Sequence, residues 1–452
     1  MKTASTALLL ATLGLGGVAQ AEEHEYPVRL AGHAYLPALS MVAPPRDAPQ
    51  DARLSGKFRG EGRNRQPMSQ PGDTGALHGN RQTELATPFI GQPLQGLSGF
   101  AMQRDADGNF YVLTDNGFGA KANSADALLF FHRMAPDFES GRVHVAETVF
   151  LRDPNFRVPF RIAYAGTETR YLTGADFDPE SLQVIDDEVW IGEEFGPYLI
   201  RAGLDGNIRE VYSTRLDGET LKSPDHPGLD ALAEAGSDWR VSRSGGFEGM
   251  ALQPETGLLW AMLEKPLLGA DGEPGERVLE VMAFDPAEGE WTGERFGFPL
   301  AEGATAIGDF NFIDHNRALV IERDNGEGDP SLACQGQAND ECFPHPARHK
   351  RVVLIDTARQ DDQGRVARLG YLDLMNIADP DRIGRLATVA DRDLSETFTF
   401  PFFTIEDVVR VDDTHLLVAN DNNLPSSTGR QLDEAADNEF ILLEAADFLQ
   451  AK

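Results

Sequence analysis

The stretch Phe247-Glu248-Gly249-Met250 begins a pattern that recurs along this chain. An apolar run turns at Thr256-Gly257, continues through a second apolar run at 258–262 and closes on Leu263-Glu264-Lys265. Two short apolar runs joined by a tight turn are typical of a β-hairpin. Because a hairpin returns the chain to its starting side, the opening and closing acidic residues are expected to lie together.

Four further segments repeat this order of opening polar residue, strand, turn, strand and closing acidic cluster. They run from Leu97-Ser98-Gly99-Phe100 to Thr114-Asp115-Asn116, from Pro179-Glu180-Ser181-Leu182 to Gly192-Glu193-Glu194, from Gly308-Asp309-Phe310-Asn311 to Glu322-Arg323-Asp324-Asn325, and from Ile405-Glu406-Asp407-Val408 to Asn420-Asp421-Asn422. Radial repetition would gather the acidic ends around one axis, which is the arrangement of a β-propeller. A two-sheet sandwich also has many short strands, but it does not predict acidic residues at both ends of each hairpin.

The fold we predict is therefore all-β, a β-propeller with five motif-bearing blades visible and six in total. The sixth, degenerate blade is expected in residues 31–96 or 376–404. A strand at 26–30 is expected to complete the last blade and close the ring.

The composition limits the classes of partner. The 452 residues include 73 acidic and 40 basic side chains, which gives a net charge of −33. Such a charge repels the phosphates of nucleic acids and anionic lipid, so neither is expected as a partner. Hydrophobic residues make up 41% of the chain, enough for a sizeable core. We expect a monomer that takes a small-molecule substrate.

The N-terminus has the features of a secretory signal peptide. Lys2 precedes an apolar run at 7–18, and Ala19-Gln20-Ala21 supplies small residues at the cleavage positions. No later stretch approaches the ~18 apolar residues of a membrane-spanning helix. We therefore expect cleavage after Ala21, which removes residues 1–21, and a periplasmic or secreted mature protein.

The two cysteines, Cys334 and Cys342, are separated by a short polar loop. In an oxidising compartment such a pair favours a disulfide. His345 and His349 follow closely, so a zinc site is the alternative, although its first spacing is wider than in common zinc modules.

The opening glutamates, Glu180, Glu248 and Glu406, are unusual because glutamate is neither a turn former nor favoured in strands. Crowded carboxylates repel one another unless a cation lies among them or some are protonated. Clusters of carboxylate and amide oxygens suit Ca²⁺, which takes 6–8 oxygen ligands. We predict a central calcium site, with structural hydrogen bonding as the alternative. The candidate ligands are Glu180, Glu248, Asp309, Glu322, Asp324, Glu406 and Asp421.

Two basic residues stand among the closing acids. Lys265 follows Glu264, and Arg323 lies between two acidic residues. Beside a metal ion they would form an anion-binding patch for a phosphate or carboxylate ester, whereas ordinary ion pairing is the simpler interpretation. Glu194 is the candidate for orienting or deprotonating an attacking water.

Several motifs resemble the phytase-like family, also described as "esterase-like activity of phytase", of exported bacterial proteins. The matching motifs are Gln95-Gly96-Leu97-Ser98-Gly99-Phe100 with Leu113-Thr114-Asp115-Asn116-Gly117, Trp190-Ile191-Gly192-Glu193-Glu194-Phe195-Gly196-Pro197, Gly246-Phe247-Glu248-Gly249-Met250-Ala251-Leu252, and Ile405-Glu406-Asp407-Val408 with Ala419-Asn420-Asp421-Asn422-Asn423. The resemblance implies one β-propeller domain over residues 22–452 and hydrolysis of phosphoric or other esters with a divalent metal. The chain lacks the Asp-Asp-Pro-Ala-Ile-Trp segment of alkaline propeller phytases, so its resemblance to those enzymes is remote.

The function we expect is a calcium-dependent hydrolase of phosphoric esters. Two alternatives remain open at this point. One keeps the fold and changes the substrate, as a calcium-dependent lactonase or carboxylesterase. The other is a non-catalytic propeller whose calcium is structural and whose loops bind a partner.

Overall fold

A computed structural model describes residues 23–61, 64–67, 83, 85, 87–230, 232–339, 341–385 and 396–452. The predicted signal peptide therefore lies outside the described residues. Nearly all regular structure in these ranges is β. The first strands are β1 Arg29–Leu36, β2 Met41–Val42, β3 Leu54–Ser55, β4 Phe58–Glu61, β5 Asn64–Pro67, β6 Phe89–Ile90, β7 Gln92–Pro93, β8 Leu97–Arg104, β9 Phe110–Thr114, β10 Phe130–Asp137, β11 Arg142–Phe150, β12 Pro179–Ile185, β13 Glu188–Glu193, β14 Tyr198–Gly203 and β15 Ile208–Ser213.

The remaining strands are β16 Arg215–Leu216, β17 Glu219–Thr220, β18 Phe247–Leu252, β19 Leu259–Leu263, β20 Val278–Asp285, β21 Glu290–Pro299, β22 Ala306–Phe312, β23 Arg317–Arg323, β24 Lys350–Gln360, β25 Val366–Asp373, β26 Ile377–Ala378, β27 Thr397–Phe398, β28 Thr404–Arg410, β29 His415–Asp421 and β30 Asn438–Glu444. Short 3₁₀ turns occur at Gln50–Arg53 and Pro330–Leu332, and a short helix, α1, at Ala446–Leu449. No helix in the described ranges is long and apolar enough to cross a membrane.

Five groups of four antiparallel strands make up the body of the fold. Sheet 1 is β8-β9-β10-β11, sheet 2 is β12-β13-β14-β15, sheet 3 is β18-β19-β20-β21, sheet 4 is β22-β23-β24-β25 and sheet 5 is β28-β29-β30-β1. A parallel bridge between Tyr35 and Arg142 joins sheets 5 and 1. Strand β1 pairs with β30, so the N-terminal strand completes the last sheet, as expected, although it begins at Arg29.

The first strand of each sheet lies at the centre of the molecule. These five strands contact one another in the order β8, β12, β18, β22 and β28, and β28 contacts β8 again. Separate apolar cores fill the spaces between neighbouring sheets: Leu182 and Leu113 lie in the core between sheets 1 and 2, and Phe100 and Phe440 lie in the one between sheets 5 and 1. The arrangement is propeller-like, because each sheet buries one face against each neighbour.

Small residues let the central strands approach closely. A Cβ atom at Gly308 would lie 1.9 Å from the carbonyl oxygen of Ile405, and one at Gly249 would lie 2.6 Å from the Cβ of Phe310. No side chain fits at either distance, so glycine is required where sheets 3, 4 and 5 meet.

The predicted sixth blade is not confirmed. Residues 31–96 and 376–404 contribute most of strand β1 to sheet 5. Their other described strands form the two-stranded ladders β2 with β7, β3 with β6 and β4 with β5, and the short pair β26 and β27, which is attached to β1 by one parallel bridge between Ala378 and Arg29. These segments are too irregular to form a four-stranded sheet in the described ranges, and the ring of central strands closes without them.

The loop that follows sheet 4's second strand contains both cysteines. Cys334 and Cys342 are joined by a disulfide. The Nε2 atom of His349 lies 3.0 Å from the carboxylate of Glu322, so this histidine is engaged elsewhere, not in a zinc site with the cysteines.

Candidate metal centre

A β-bulge at the start of each central strand builds the centre. The pairing register shifts between Pro179 and Ser181, and the same irregularity falls at Glu248, Gly308 and Glu406. In sheet 1 the shift spans Ser98 and Gly99. A bulge re-aims the extra residue out of the regular alternation. The opening glutamates thus share one structural position in three different sheets.

These bulged residues converge at one end of the axis. The Oγ atom of Ser98 donates to Oε2 of Glu406 over 3.1 Å, although the two residues come from sheets 1 and 5. Burial raises the pKa values of Glu180 and Glu248, and nearby charges raise both further: those of Glu248 and Glu406 act on Glu180, and that of Glu406 acts on Glu248. The acidic ends of separate hairpins therefore lie near one another, as the repeat in the sequence predicts.

Two groups of three carboxylates stand close enough to hold a cation. Asp178, Glu180 and Glu194 form one group, and Glu194, Glu248 and Glu264 form the other. Within each group the candidate ligand atoms all lie within 4.8 Å of one another, and all five residues are buried. Glu194 belongs to both groups. Its Oε1 accepts a hydrogen bond of 3.0 Å from the backbone N–H of Gly246, which fixes its orientation.

Arg323 occupies the side of the centre where sheet 4 has glycine at the bulge. Its Nη2 lies 2.9 Å from Oε1 of Glu264, 3.6 Å from Oε1 of Glu406 and 3.9 Å from Oε1 of Glu248. The side chain is 6% exposed. A buried guanidinium from sheet 4, whose bulge carries glycine and no acid, therefore neutralises part of the carboxylate cluster.

Lys265 stands at the rim of the same centre. Its Nζ lies 2.6 Å from Oε2 of Glu264 and also donates to the carbonyl oxygen of Ser244. Burial alone would lower the pKa of this ammonium group, but the charges of Glu264 and Glu194 raise it. Lys265 is therefore a cation at neutral pH, with its side chain 34% exposed.

The carboxyl groups themselves are strongly perturbed. Burial, followed by repulsion from neighbouring carboxylates, raises the pKa values of Glu180, Glu194 and Glu248 well above the usual range. Burial raises the pKa of Glu406 and of Asp421 to about 8, and Asp421 is further raised by the charge of Glu406. Arg323 and Lys265 do not supply enough positive charge for all these groups to ionise together, so protons or a further cation must compensate the rest.

The chemistry of the residues fits a hard divalent cation. Oε1 of Glu248 is buried and has no hydrogen-bond partner among the described residues, and Glu248 as a whole is only 3% exposed. Asp178 and Glu180 are within hydrogen-bonding range of each other, which two ionised carboxylates tolerate only with a proton or a cation between them. Carboxylate oxygens of this kind are the ligands that Ca²⁺ prefers.

Five of the seven predicted ligands lie outside these two groups. Two of the five, Glu406 and Asp421, remain near Arg323, whose Nη2 lies 3.6 Å from Oε1 of Glu406 and whose charge also acts on Asp421. The other three make different contacts. Asp309 is one position beyond the bulge, and its Oδ2 accepts a 2.7 Å hydrogen bond from the backbone of Val408 in sheet 5. Asp324 accepts from the backbone of Arg348 and His349 and pairs with Lys350 at 3.1 Å. These contacts join neighbouring strands and loops, so both residues act here as structural hydrogen-bond acceptors.

Glu322, the third, is buried in an ion-pair network of its own. Its oxygens accept from Arg368 at 2.9 and 3.0 Å, from His349 at 3.0 Å and from the backbone of Ala301 at 2.7 Å. Burial alone would raise the pKa of Glu322, but the bonds from His349 and Arg368 outweigh burial and lower that pKa to about 2.

This pKa gives a testable dependence of stability on pH. A carboxylate whose pKa falls on folding stabilises the fold above the pKa of the unfolded chain, about 4.3, and that contribution is lost as the pH falls toward 2. Glu322→Gln should therefore lose about 3 kcal/mol of unfolding free energy at pH 7 and should flatten the acid limb of the stability curve. Urea unfolding at pH 7, 4 and 3 measures this. A curve parallel to that of the wild type would contradict the prediction, and Glu188→Gln, in a half-exposed pair with Arg201, is the control.

A family model described as "Phytase-like: Esterase-like activity of phytase" matches residues 92–424. The chain belongs to the phytase-like family. The match spans all five central hairpins and both carboxylate groups. Comparison with curated proteins gives no match.

Solved structures show distant similarity to the phytase-like chain. Native arabinanase Arb43A of Bacillus subtilis is 9% identical, with a TM-score of 0.36, and the alignment covers 77% of this chain and 93% of that one. Glutaminyl cyclase of Myxococcus xanthus is 11% identical, with a TM-score of 0.33 and coverages of 77% and 91%. Scores of this size carry no inference about activity.

Sequence reasoning missed three acidic residues of the phytase-like centre. Asp178 lies two residues before Glu180, outside the repeated motif, so the repeat gave no signal for it. Glu264 and Asp115 belong to the closing clusters of their hairpins, and this position in the repeat could have identified them as residues of the centre. The charge of Asp115, from sheet 1, reaches Glu406 and Asp421.

Proposed function

We propose that the chain is a five-bladed β-propeller, formed by residues 22–452, that hydrolyses phosphoric esters with a divalent cation, most simply Ca²⁺. The observation that carries the proposal is the pair of buried carboxylate groups that share Glu194. Membership of the phytase-like family supports ester hydrolysis as the reaction class. The disulfide between Cys334 and Cys342 supports an exported protein from which residues 1–21 are removed.

Asp178, Glu180 and Glu194 would hold the cation, because no basic side chain lies within 4 Å of their carboxylates in the described structure. In the second group, by contrast, Glu264 already pairs with Arg323 and Lys265. When bound, a divalent cation polarises phosphoryl oxygens and lowers the pKa of a water. Oε1 of Glu248, which accepts no hydrogen bond from any described residue, offers a further oxygen toward the same centre.

Arg323 and Lys265 would bind the phosphate group. Nε of Arg323 is buried without a hydrogen-bond partner among the described residues, so it has a donor left for an anion. Lys265, at the rim, is a partly exposed cation that an entering phosphate meets first. Charge-assisted donors of this kind stabilise the charge that spreads over the phosphoryl oxygens.

Glu194 and Glu406 would have different roles in the reaction, one toward the attacking water and the other toward the leaving oxygen. In the reaction a water oxygen forms a bond to phosphorus, the bond from phosphorus to the leaving oxygen breaks, and one water proton ends on the leaving alcohol. Glu194, fixed by the N–H of Gly246, would orient the water. Glu406 lies outside both carboxylate groups and holds a proton at neutral pH, because burial raises its pKa to about 8. It can therefore supply a proton to the leaving oxygen.

The decisive test is turnover by the mature protein of p-nitrophenyl phosphate, bis-p-nitrophenyl phosphate and p-nitrophenyl acetate, in Ca²⁺ and then in EDTA. We expect calcium-dependent release of p-nitrophenol from a phosphate ester, with inhibition by inorganic phosphate. Turnover of the acetate ester alone, indifferent to phosphate, would instead support a carboxylesterase or lactonase. Binding of Ca²⁺ without turnover of any ester would support a non-catalytic propeller.

A further inference from the structure

A small cavity lies beside the carboxylate group that contains Asp178. It has a volume of about 210 Å³, and its walls include Lys121, Phe160, Arg161 and Asp225. This volume is well above the roughly 10–15 Å³ that one water needs on the same measure, so the cavity has room for a small organic group. The walls come from three different loops, one after β9, one between sheets 1 and 2, and one between sheets 2 and 3.

The cavity adjoins the proposed cation ligands. The Nζ atom of Lys121 lies 4.6 Å from the ring centre of Phe195, the residue that follows Glu194. The Oγ atom of Ser223 donates to the carbonyl oxygen of Phe195 over 2.7 Å, which ties the Asp225 loop to the same turn. The charge of Asp225 is close enough to act on Asp178.

Asp225 lines the cavity and carries a buried acceptor atom without a donor among the described residues. Its side chain is only 4% exposed, and its Oδ2 pairs with Arg243. Its Oδ1 is buried and has no hydrogen-bond partner within the described part of the chain. A buried carboxylate oxygen without a donor is costly, so a ligand hydroxyl that donates to it would be stabilised there.

The cavity also offers positive charge. Arg161 is exposed and forms no ion pair with another described residue, and Lys121 donates to the carbonyl oxygen of Asp225 over 3.2 Å. Both side chains can only donate hydrogen bonds, and Arg161 suits the two oxygens of a carboxylate. Phe160 also lines the cavity and supplies apolar surface for the carbon atoms of a ligand.

We propose that this cavity binds the alcohol part of the substrate and selects an alcohol that carries both a hydroxyl and a carboxylate group, that is, a phosphorylated hydroxy acid. The hydroxyl donates to Oδ1 of Asp225, and the carboxylate accepts from Arg161. This inference rests on the proposed function for the identity of the reaction, but the binding site itself does not depend on turnover.

The test uses the mature protein with Ca²⁺ and separates binding from turnover. Calorimetry compares glycerate, which has hydroxyl groups and a carboxylate, with propionate, which has only the carboxylate, and with glycerol, which has only hydroxyl groups. We expect glycerate to bind at least tenfold more tightly than either, and Arg161→Met and Asp225→Asn to lose that preference. Arg157→Met, an exposed arginine in the same loop that does not line the cavity, is the matched control. Equal binding of glycerate and propionate, or unchanged binding by Arg161→Met, would overturn the proposal.

Kinetic measurements then distinguish failure of the binding-site proposal from failure of the proposed hydrolase function. We expect kcat/KM for 3-phosphoglycerate to exceed that for p-nitrophenyl phosphate about tenfold, and Arg161→Met to remove this difference through KM. Selective binding of glycerate without turnover of either ester would refute the hydrolase and support the subsite. Equal turnover of both esters without binding of glycerate would support the hydrolase and refute the subsite.

Discussion

Arg323→Met should destabilise the metal-free protein by about 3–5 kcal/mol, the range found when one partner of a buried ion pair is removed. Methionine retains most of the packing of the arginine stem but leaves Glu264, whose Oε1 lies 2.9 Å from Nη2 of Arg323, without its buried guanidinium partner. Urea unfolding in EDTA at pH 7 measures the loss.

Two controls separate charge from packing in this experiment. Arg133→Met removes a cation from a partly exposed pair with Glu147 and should cost at most about 1 kcal/mol. Adding Glu264→Gln to Arg323→Met removes one uncompensated carboxylate and should recover part of the stability. Calcium should also recover part of the loss, because it supplies positive charge to the same centre. A loss in Arg323→Met no larger than in Arg133→Met would show that the acids around Arg323 are neutral and need no countercharge.

Glu194→Gln should lower calcium affinity and phosphoric-ester turnover together, each by a hundredfold or more. Glutamine keeps the shape, and its amide oxygen can still accept from the N–H of Gly246, but it removes the carboxylate that the two ligand groups share. Loss of a charged ligand weakens binding of a hard cation strongly, because Ca²⁺ affinity follows the number of charged ligands.

The matched control for Glu194→Gln is Glu193→Gln at the adjacent position. Glu193 accepts backbone hydrogen bonds from Phe195, Gly196 and Tyr198 and belongs to neither carboxylate group. It should therefore affect stability with little change in calcium affinity. Calorimetric titration with Ca²⁺ and initial rates in saturating Ca²⁺ measure both variants. Full turnover by Glu194→Gln would exclude Glu194 from the reaction.

The repeat in the sequence predicts the architecture because residues close together along the chain determine each hairpin. Each hairpin is encoded by an apolar run, a turn and a second apolar run, and five such hairpins form the inner halves of the five sheets. Glutamate at the start of a strand signals a site because it is unfavourable there unless a bulge turns it out of the sheet. The sequence predicts Glu180, Glu248 and Glu406 as site residues because glutamate is neither a turn former nor favoured in strands, and the structure places all three at bulges of the central strands.

The rest of the centre depends on register, which the sequence does not show. Asp309 follows the bulge of β22 by one residue, so it joins the hydrogen bonds between sheets and does not face the carboxylate groups. Glu322 and Asp324 flank Arg323, but neighbours along a strand face opposite sides, and only Arg323 reaches the centre. Asp178 precedes its strand, and only the folded loop brings it beside Glu194.

The most direct test of the account is thermal unfolding of the mature protein at pH 6.0 and pH 8.5, in EDTA and in Ca²⁺. Carboxyl groups whose pKa is raised on folding to about 8 cost stability progressively as the pH rises from the unfolded value of about 4.3 to the folded value. The Tm in EDTA should therefore fall as the pH rises.

Calcium should reverse this trend, because it binds the ionised carboxylates. We predict a calcium-dependent rise in Tm that is larger at pH 8.5 than at pH 6.0, is lost in Glu180→Gln and is retained in Glu294→Gln, an exposed glutamate of β21 outside the centre. A Tm that does not respond to Ca²⁺ at either pH would contradict the central claim that these buried carboxylates hold a cation.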